Sequence, residues 1–111
     1  MATSVLLAFT NPADGTSDEE FNEWYEGTHV PELKAALPSL VRVSRYRTAP
    51  FTIGDGAGQT PYRFLAVYEL DGDSGAAAAA LGEAVGSGKV SMSTVLDLQQ
   101  NPPAMQWFDS V

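Results

Sequence analysis

The segment Tyr62 to Leu70 constrains this chain more than any other. Read as a strand, it carries Tyr62, Phe64, Ala66, Tyr68 and Leu70 on one face and Leu65 and Val67 on the other. Both faces are apolar at the centre. A strand of this kind must be covered on both sides, as parallel and sandwiched strands are. A chain of 111 residues has room for one domain. If its helices cover one side, the second cover must come from another subunit.

The rest of the chain supplies the partners for that strand. Ser4 to Thr10 is a short apolar run closed by Asn11-Pro12 and Asp14-Gly15, the pattern of a buried strand and a turn. Ser17 with Glu20 three residues on forms a capping box, and Asp18, Glu19 and Glu20 load the first helical turn with charge that the helix dipole favours. Phe21, Trp24, Tyr25, Thr28, Leu33 and Leu37 then recur at mostly helical steps and give one apolar stripe. Pro31 removes a backbone donor and disfavours helical geometry at Val30, so a kink or break is expected between Gly27 and Pro31.

Leu40 to Thr48 reads as a second strand, with Val41 and Val43 on one face and Leu40, Arg42, Ser44 and Tyr46 on the other. A loop rich in Gly and Thr follows from Pro50 to Pro61, the segment best suited to cover a substrate. Asp73 or Ser74 can cap a second, alanine-rich helix that runs to about Val85 and stops at Gly86 to Gly88. Val90 to Gln100 has no clear period. Pro102 and Pro103 lead into a last strand, Ala104 to Val111. The order strand, helix, strand, strand, helix, strand makes two split βαβ units. The expected fold is therefore α+β: a four-stranded antiparallel sheet of βαββαβ, ferredoxin-like layout with both helices on one face. Val41, Val43, Leu65 and Val67 are candidates for a seam between two subunits.

Composition narrows the function. The formal net charge of −8 repels phosphate backbones and anionic lipid surfaces, so neither nucleic acid nor membrane is an expected partner. The absence of cysteine removes disulfides, thiolate nucleophiles and thiolate metal sites, and fits a cytoplasmic protein. One histidine with scattered carboxylates is no metal ligand set, and Gly54 to Gly58 lacks the lysine of a phosphate-binding loop. No cofactor is expected.

His29 is the single histidine and the one side chain that titrates near neutrality without special tuning. It lies four residues from both Tyr25 and Leu33, at the edge of the apolar stripe and beside the expected kink. Two readings stay open: an acid/base facing a ligand, or a structural group tying a freed carbonyl near Pro31. Tyr25, Tyr46 and Tyr68 can each donate to a carbonyl or enolate oxygen, or serve as ordinary core tyrosines. Arg42, Arg45 and Arg47 face seven carboxylates between Asp14 and Glu32, which favours ion pairing.

The runs Asn11-Pro12-Ala13-Asp14-Gly15, Glu20-Phe21-Asn22-Glu23-Trp24-Tyr25 and Thr28-His29-Val30-Pro31-Glu32-Leu33, with Leu40 to Arg47 and the closing Trp107-Phe108, resemble EthD-like members of the dimeric α/β-barrel superfamily. The resemblance implies a homodimer whose two sheets pack face to face, with each pocket between a subunit's own sheet and helices. It implies that Trp24, Tyr25 and His29 face the second and third strands, and it singles out Arg45 as the arginine that would steady an anionic substrate. The wider superfamily includes muconolactone-type isomerases, polyketide cyclases and cofactor-free monooxygenases, so it does not fix a reaction. The expectation is a cofactor-independent isomerase, cyclase or lyase that transfers protons on a small apolar molecule, a carbonyl-bearing ring or polyketide-like compound. His29 and Tyr46 are the candidate catalytic pair, and Trp24, Tyr25, Arg45, Phe64, Tyr68 and Trp107 the candidate substrate contacts. A non-enzymatic small-molecule-binding dimer and a cofactor-free or haem-linked monooxygenase are the alternatives.

Overall fold

The computed structural model describes residues 2–51 and 60–111. Most of the proposed substrate-covering loop, 52–59, lies outside the described residues. Strand β1 spans Ser4–Thr10, β2 Leu40–Arg47, β3 Phe64–Leu70 and β4 Ala104–Asp109. They form one antiparallel sheet in the order β2-β3-β1-β4. Between β1 and β2 run α1 (Asp18–Trp24), a π-helical turn (Tyr25–His29) and α2 (Val30–Ala36). Helix α3 (Ser74–Gly86) joins β3 to the segment leading to β4. This is the expected βαββαβ, ferredoxin-like arrangement.

The local signals act where the sequence puts them. Ser17 Oγ accepts from the Glu20 amide at 3.1 Å and starts α1. Asp73, not Ser74, caps α3, accepting from the Ala76 amide at 2.9 Å. Pro31 does not break the first helical arm. The chain widens to a π turn instead, and the Val30 amide donates five residues back to the Tyr25 carbonyl. Pro31, which has no amide proton to place, then falls in the first turn of α2, directly after the widened turn that changes the hydrogen-bond ladder.

The helix-facing residues of β3 and β1 are buried and alternate strictly: Phe64, Ala66, Tyr68 and Leu70 beside Leu6 and Ala8. Phe21, Tyr25, Val30, Leu33, Leu37, Ala77 and Ala84 close on them from the helices to complete one core. At two central strand positions of the opposite face, Leu65 and Val67 stand beside Phe9 and Leu7, half-buried and covered by no helix or strand among the described residues.

Strand β2 departs from the simple alternation. Leu40 pairs with Leu70 and Arg42 with Glu69, so Val41 is an extra residue bulged out of the ladder. One inserted residue reverses the face of everything after it. Val43, Arg45 and Arg47 consequently face the helices opposite Tyr68, Ala66 and Phe64, while Ser44 and Tyr46 stand on the open face opposite Val67 and Leu65. Two expectations are corrected. Val43 packs against the core and does not belong to a subunit seam, and Tyr46 does not share a face with Leu40.

The irregular segment after α3 is held in place rather than free. Pro12 bridges to Leu96, the Ala13 amide donates to the Val95 carbonyl at 2.7 Å, and the Asp97 amide donates to the Asn11 carbonyl at 2.9 Å. Glu32 completes the attachment by accepting from both the amide and the hydroxyl of Ser91, at 2.9 and 2.8 Å. Val90 and Leu96 are buried as a result.

Candidate active site

A cavity of about 220 Å³ lies between the helix-facing side of the sheet and the helices. Its floor is Leu6, Ala8 and Thr10 of β1, Tyr68 and Leu70 of β3, and Met105 and Trp107 of β4. The first helical arm gives Tyr25, His29, Leu33 and Leu37, and α3 gives Leu81 and Val85. Val90, Met92, Leu96 and Leu98 enclose it from the segment that Glu32 and Asn11 pin down. The walls are apolar apart from Thr10 and one small polar locus.

That locus is made by Tyr25, Tyr68 and His29. The Tyr25 and Tyr68 hydroxyls lie 2.7 Å apart and share a hydrogen bond, and both residues are buried. Burial pushes both phenols up in pKa, so each keeps its proton at any physiological pH. Two hydroxyls joined by one bond use one proton between them. Among the described residues the second proton has no other acceptor, and it is available to a ligand oxygen.

The π turn sets His29 on the cavity wall, one helical step beyond Tyr25. Its ring stacks on Trp24, with centroids 4.7 Å apart and planes at 21°, and meets the edge of Tyr25 at 4.9 Å. Nδ1 is buried and, among the described residues, has no hydrogen-bond partner. Desolvation pulls the pKa from 6.5 to about 4; Glu32 opposes this and Arg45 adds to it. The imidazole is therefore neutral at pH 7. Its Nδ1 does not bond the freed backbone near Pro31, which takes away the purely structural reading of that nitrogen.

Among the sequence-chosen residues, His29, Tyr25, Tyr68 and Trp107 line the cavity. Trp24 acts from behind, as the surface on which the imidazole stacks. Phe64 is a core residue, 5.1 Å from the Phe21 ring and outside the cavity lining. Arg45 lies over the Tyr25 ring, Cζ 4.2 Å from the centroid, and donates to Glu26 at 3.2 Å and Asn22 at 2.9 Å. It braces the tyrosine and does not line the cavity. Tyr46 is 56% exposed on the other side of the sheet, so the β2 bulge removes it from any partnership with His29. Sequence reasoning missed the enclosing residues Val90, Met92, Leu96 and Leu98; their spaced apolar character was the available signal, but it follows no helix or strand period. Among the described residues, no three His, Asp or Glu side chains converge as a metal site would require, and no helix is long and apolar enough to cross a membrane.

The same architecture recurs in solved structures. An EthD-like protein from Ralstonia eutropha superposes with a TM-score of 0.59 at 12% identity, over 98% of this chain and 93% of that one. An ethyl tert-butyl ether D (EthD) family protein from Bacillus halodurans gives 0.51 at 17% identity with full coverage of both chains. A protein from Arabidopsis thaliana gives 0.64 at 12% identity, over 97% and 95%. The chain thus has the ferredoxin-like α+β fold of EthD-family structures. No family model matches the sequence, and no curated protein matches it.

Proposed function

We propose that this chain is a small homodimeric enzyme that needs no cofactor and moves a proton on an apolar, carbonyl-bearing ring or polyketide-like compound. One observation carries the reading: a neutral histidine lines an apolar cavity beside a paired tyrosine donor. In this reading the substrate carbonyl accepts the spare tyrosine O–H. His29, free of its proton throughout the neutral range, takes a proton from the carbon next to that carbonyl. The electron pair of the broken C–H bond moves onto the oxygen, where the tyrosine donor stabilises it. Return of the proton from the imidazolium to a different carbon completes an isomerisation. A base with a pKa of about 4 is weak, so the C–H must be acidic, as it is between two carbonyls. That favours polyketide-like 1,3-dicarbonyl compounds.

The homodimer rests on the open sheet face, where Leu65, Val67, Leu7 and Phe9 need cover. A cysteine-free chain suits the cytoplasm. The experiment is α-proton exchange in D₂O with 2-acetyl-1-tetralone, an apolar 1,3-dicarbonyl, followed by NMR. The wild type should accelerate exchange, and His29→Gln should lower the rate at least about a hundredfold while fold and dimer persist. Undiminished exchange in the variant rules out His29 as the base. The walls, apolar but for Thr10 and one locus, favour a second reading, a carrier that sequesters its ligand. Tight binding without exchange is its signature.

A further inference from the structure

We infer that the cavity selects uncharged ligands, ketones, amides or phenols that offer one oxygen, and rejects carboxylates of the same shape. The inference rests on the reading of this cavity as the ligand site and adds the charge class of what enters it. Among the described residues, no lysine or arginine lines the cavity. Arg45, the nearest cation to the polar locus, is already spent on other partners. Its guanidinium is met by Glu26 and Asn22, at 3.2 and 2.9 Å, and lies within about 6 Å of the Phe21, Tyr25 and Phe64 ring centroids.

What remains to greet a ligand is neutral. The tyrosine pair has a single unshared proton, and burial keeps both phenols protonated. His29 presents an uncharged ring. At His29 the charge of Glu32, which is held by the uncharged Ser91, works against that of Arg45, so the cation's field there is offset. A carbonyl oxygen is satisfied by one or two hydrogen bonds. A carboxylate needs four or more acceptor sites filled and a counter-charge when it leaves water, and the walls supply neither. Its desolvation goes uncompensated.

The test compares three near-isosteric probes at pH 7.5 by calorimetry on the full chain: 2-acetylnaphthalene, 2-naphthamide and 2-naphthoate. The ketone and the amide should bind, and naphthoate at least tenfold more weakly than either. Replacing both Tyr25 and Tyr68 by Phe should narrow the gap by weakening the two neutral ligands, since either hydroxyl alone keeps a proton to donate. Naphthoate bound as tightly as the amide, or more tightly, overturns the inference, and so does failure of all three to bind. The proton-transfer reading is separable: selective binding without α-proton exchange defeats that reading and leaves this one standing. Exchange catalysed by a chain that also favours naphthoate does the reverse.

Discussion

The two faces of β3 are built from almost the same kinds of residue and meet different fates. Phe64, Ala66, Tyr68 and Leu70 disappear under α1, α2 and α3, the most exposed of them at 5%. Leu65 and Val67, one residue out of step, stay half-covered. On the covered side, imperfect filling leaves a cavity, and the polar groups lining it are few and neutral. On the open side the apolar residues meet no cover from the described residues. A face can therefore be apolar for two reasons, to fill a core or to meet a partner. Only the placement of the helices separates them.

Neighbouring substitutions should break this contrast most visibly. Ala66→Asp buries a carboxylate in the core, where its cross-strand neighbour Arg45 is already held by Glu26 and Asn22, and we expect it to cost about 3–5 kcal/mol and to prevent folding, seen as loss of the cooperative urea transition. Val67→Asp, one residue away, should leave the fold and the cavity intact and weaken dimerisation at least about a hundredfold, or about 3 kcal/mol. Light scattering should then fall from about twice the chain mass to the 11.8 kDa of one chain. A folded wild type that is monomeric at every concentration removes the second cover altogether.

The covered face should also reveal itself through pH. His29 is held at about 4 in the folded chain against an ordinary 6.5. Between those values the unfolded chain binds a proton that the folded chain refuses, so stability is full above pH 6.5 and declines as the pH falls towards 4. By pH 4.5 the wild type should have lost about 2–3 kcal/mol relative to His29→Phe, measured from urea midpoints of both proteins at pH 7.5 and 4.5. Parallel pH dependences would mean that the imidazole is solvated. The smallest effect belongs to neither face: Ser17→Ala removes the cap of α1 and should cost about 0.5–2 kcal/mol, read from the same midpoints.

These outcomes divide what was legible from what was not. The π turn was foreshadowed by Pro31, but a missing amide proton says only that the hydrogen-bond ladder must change. Whether the chain breaks, kinks or widens depends on what packs against it, here Phe21 and Tyr25 against Phe64 and Tyr68. Tyr46 was misplaced because alternation assumes an unbroken ladder, and the Val41 bulge is a property of β2 and β3 together. Arg45 was readable as an ion-pairing residue; that it braces Tyr25 required the fold. The walls from Val90 to Leu98 had no period to read, since they are shaped by tethers to Asn11, Ala13 and Glu32.

The amino-acid sequence by itself determined the order of elements, the Ser17 cap of the first helix, the doubly apolar third strand and the single histidine as the candidate proton carrier. Each is written in residues close together in the chain, through a period, a side-chain oxygen three positions before an amide, or composition. The tertiary structure alone decided that Tyr25 and Tyr68, 43 residues apart, share a hydrogen bond, that His29 meets a cavity, and that Tyr46 does not. Those depend on register, on one bulged residue and on one widened turn. Each is settled by the energy of packing between distant segments, which no local pattern records.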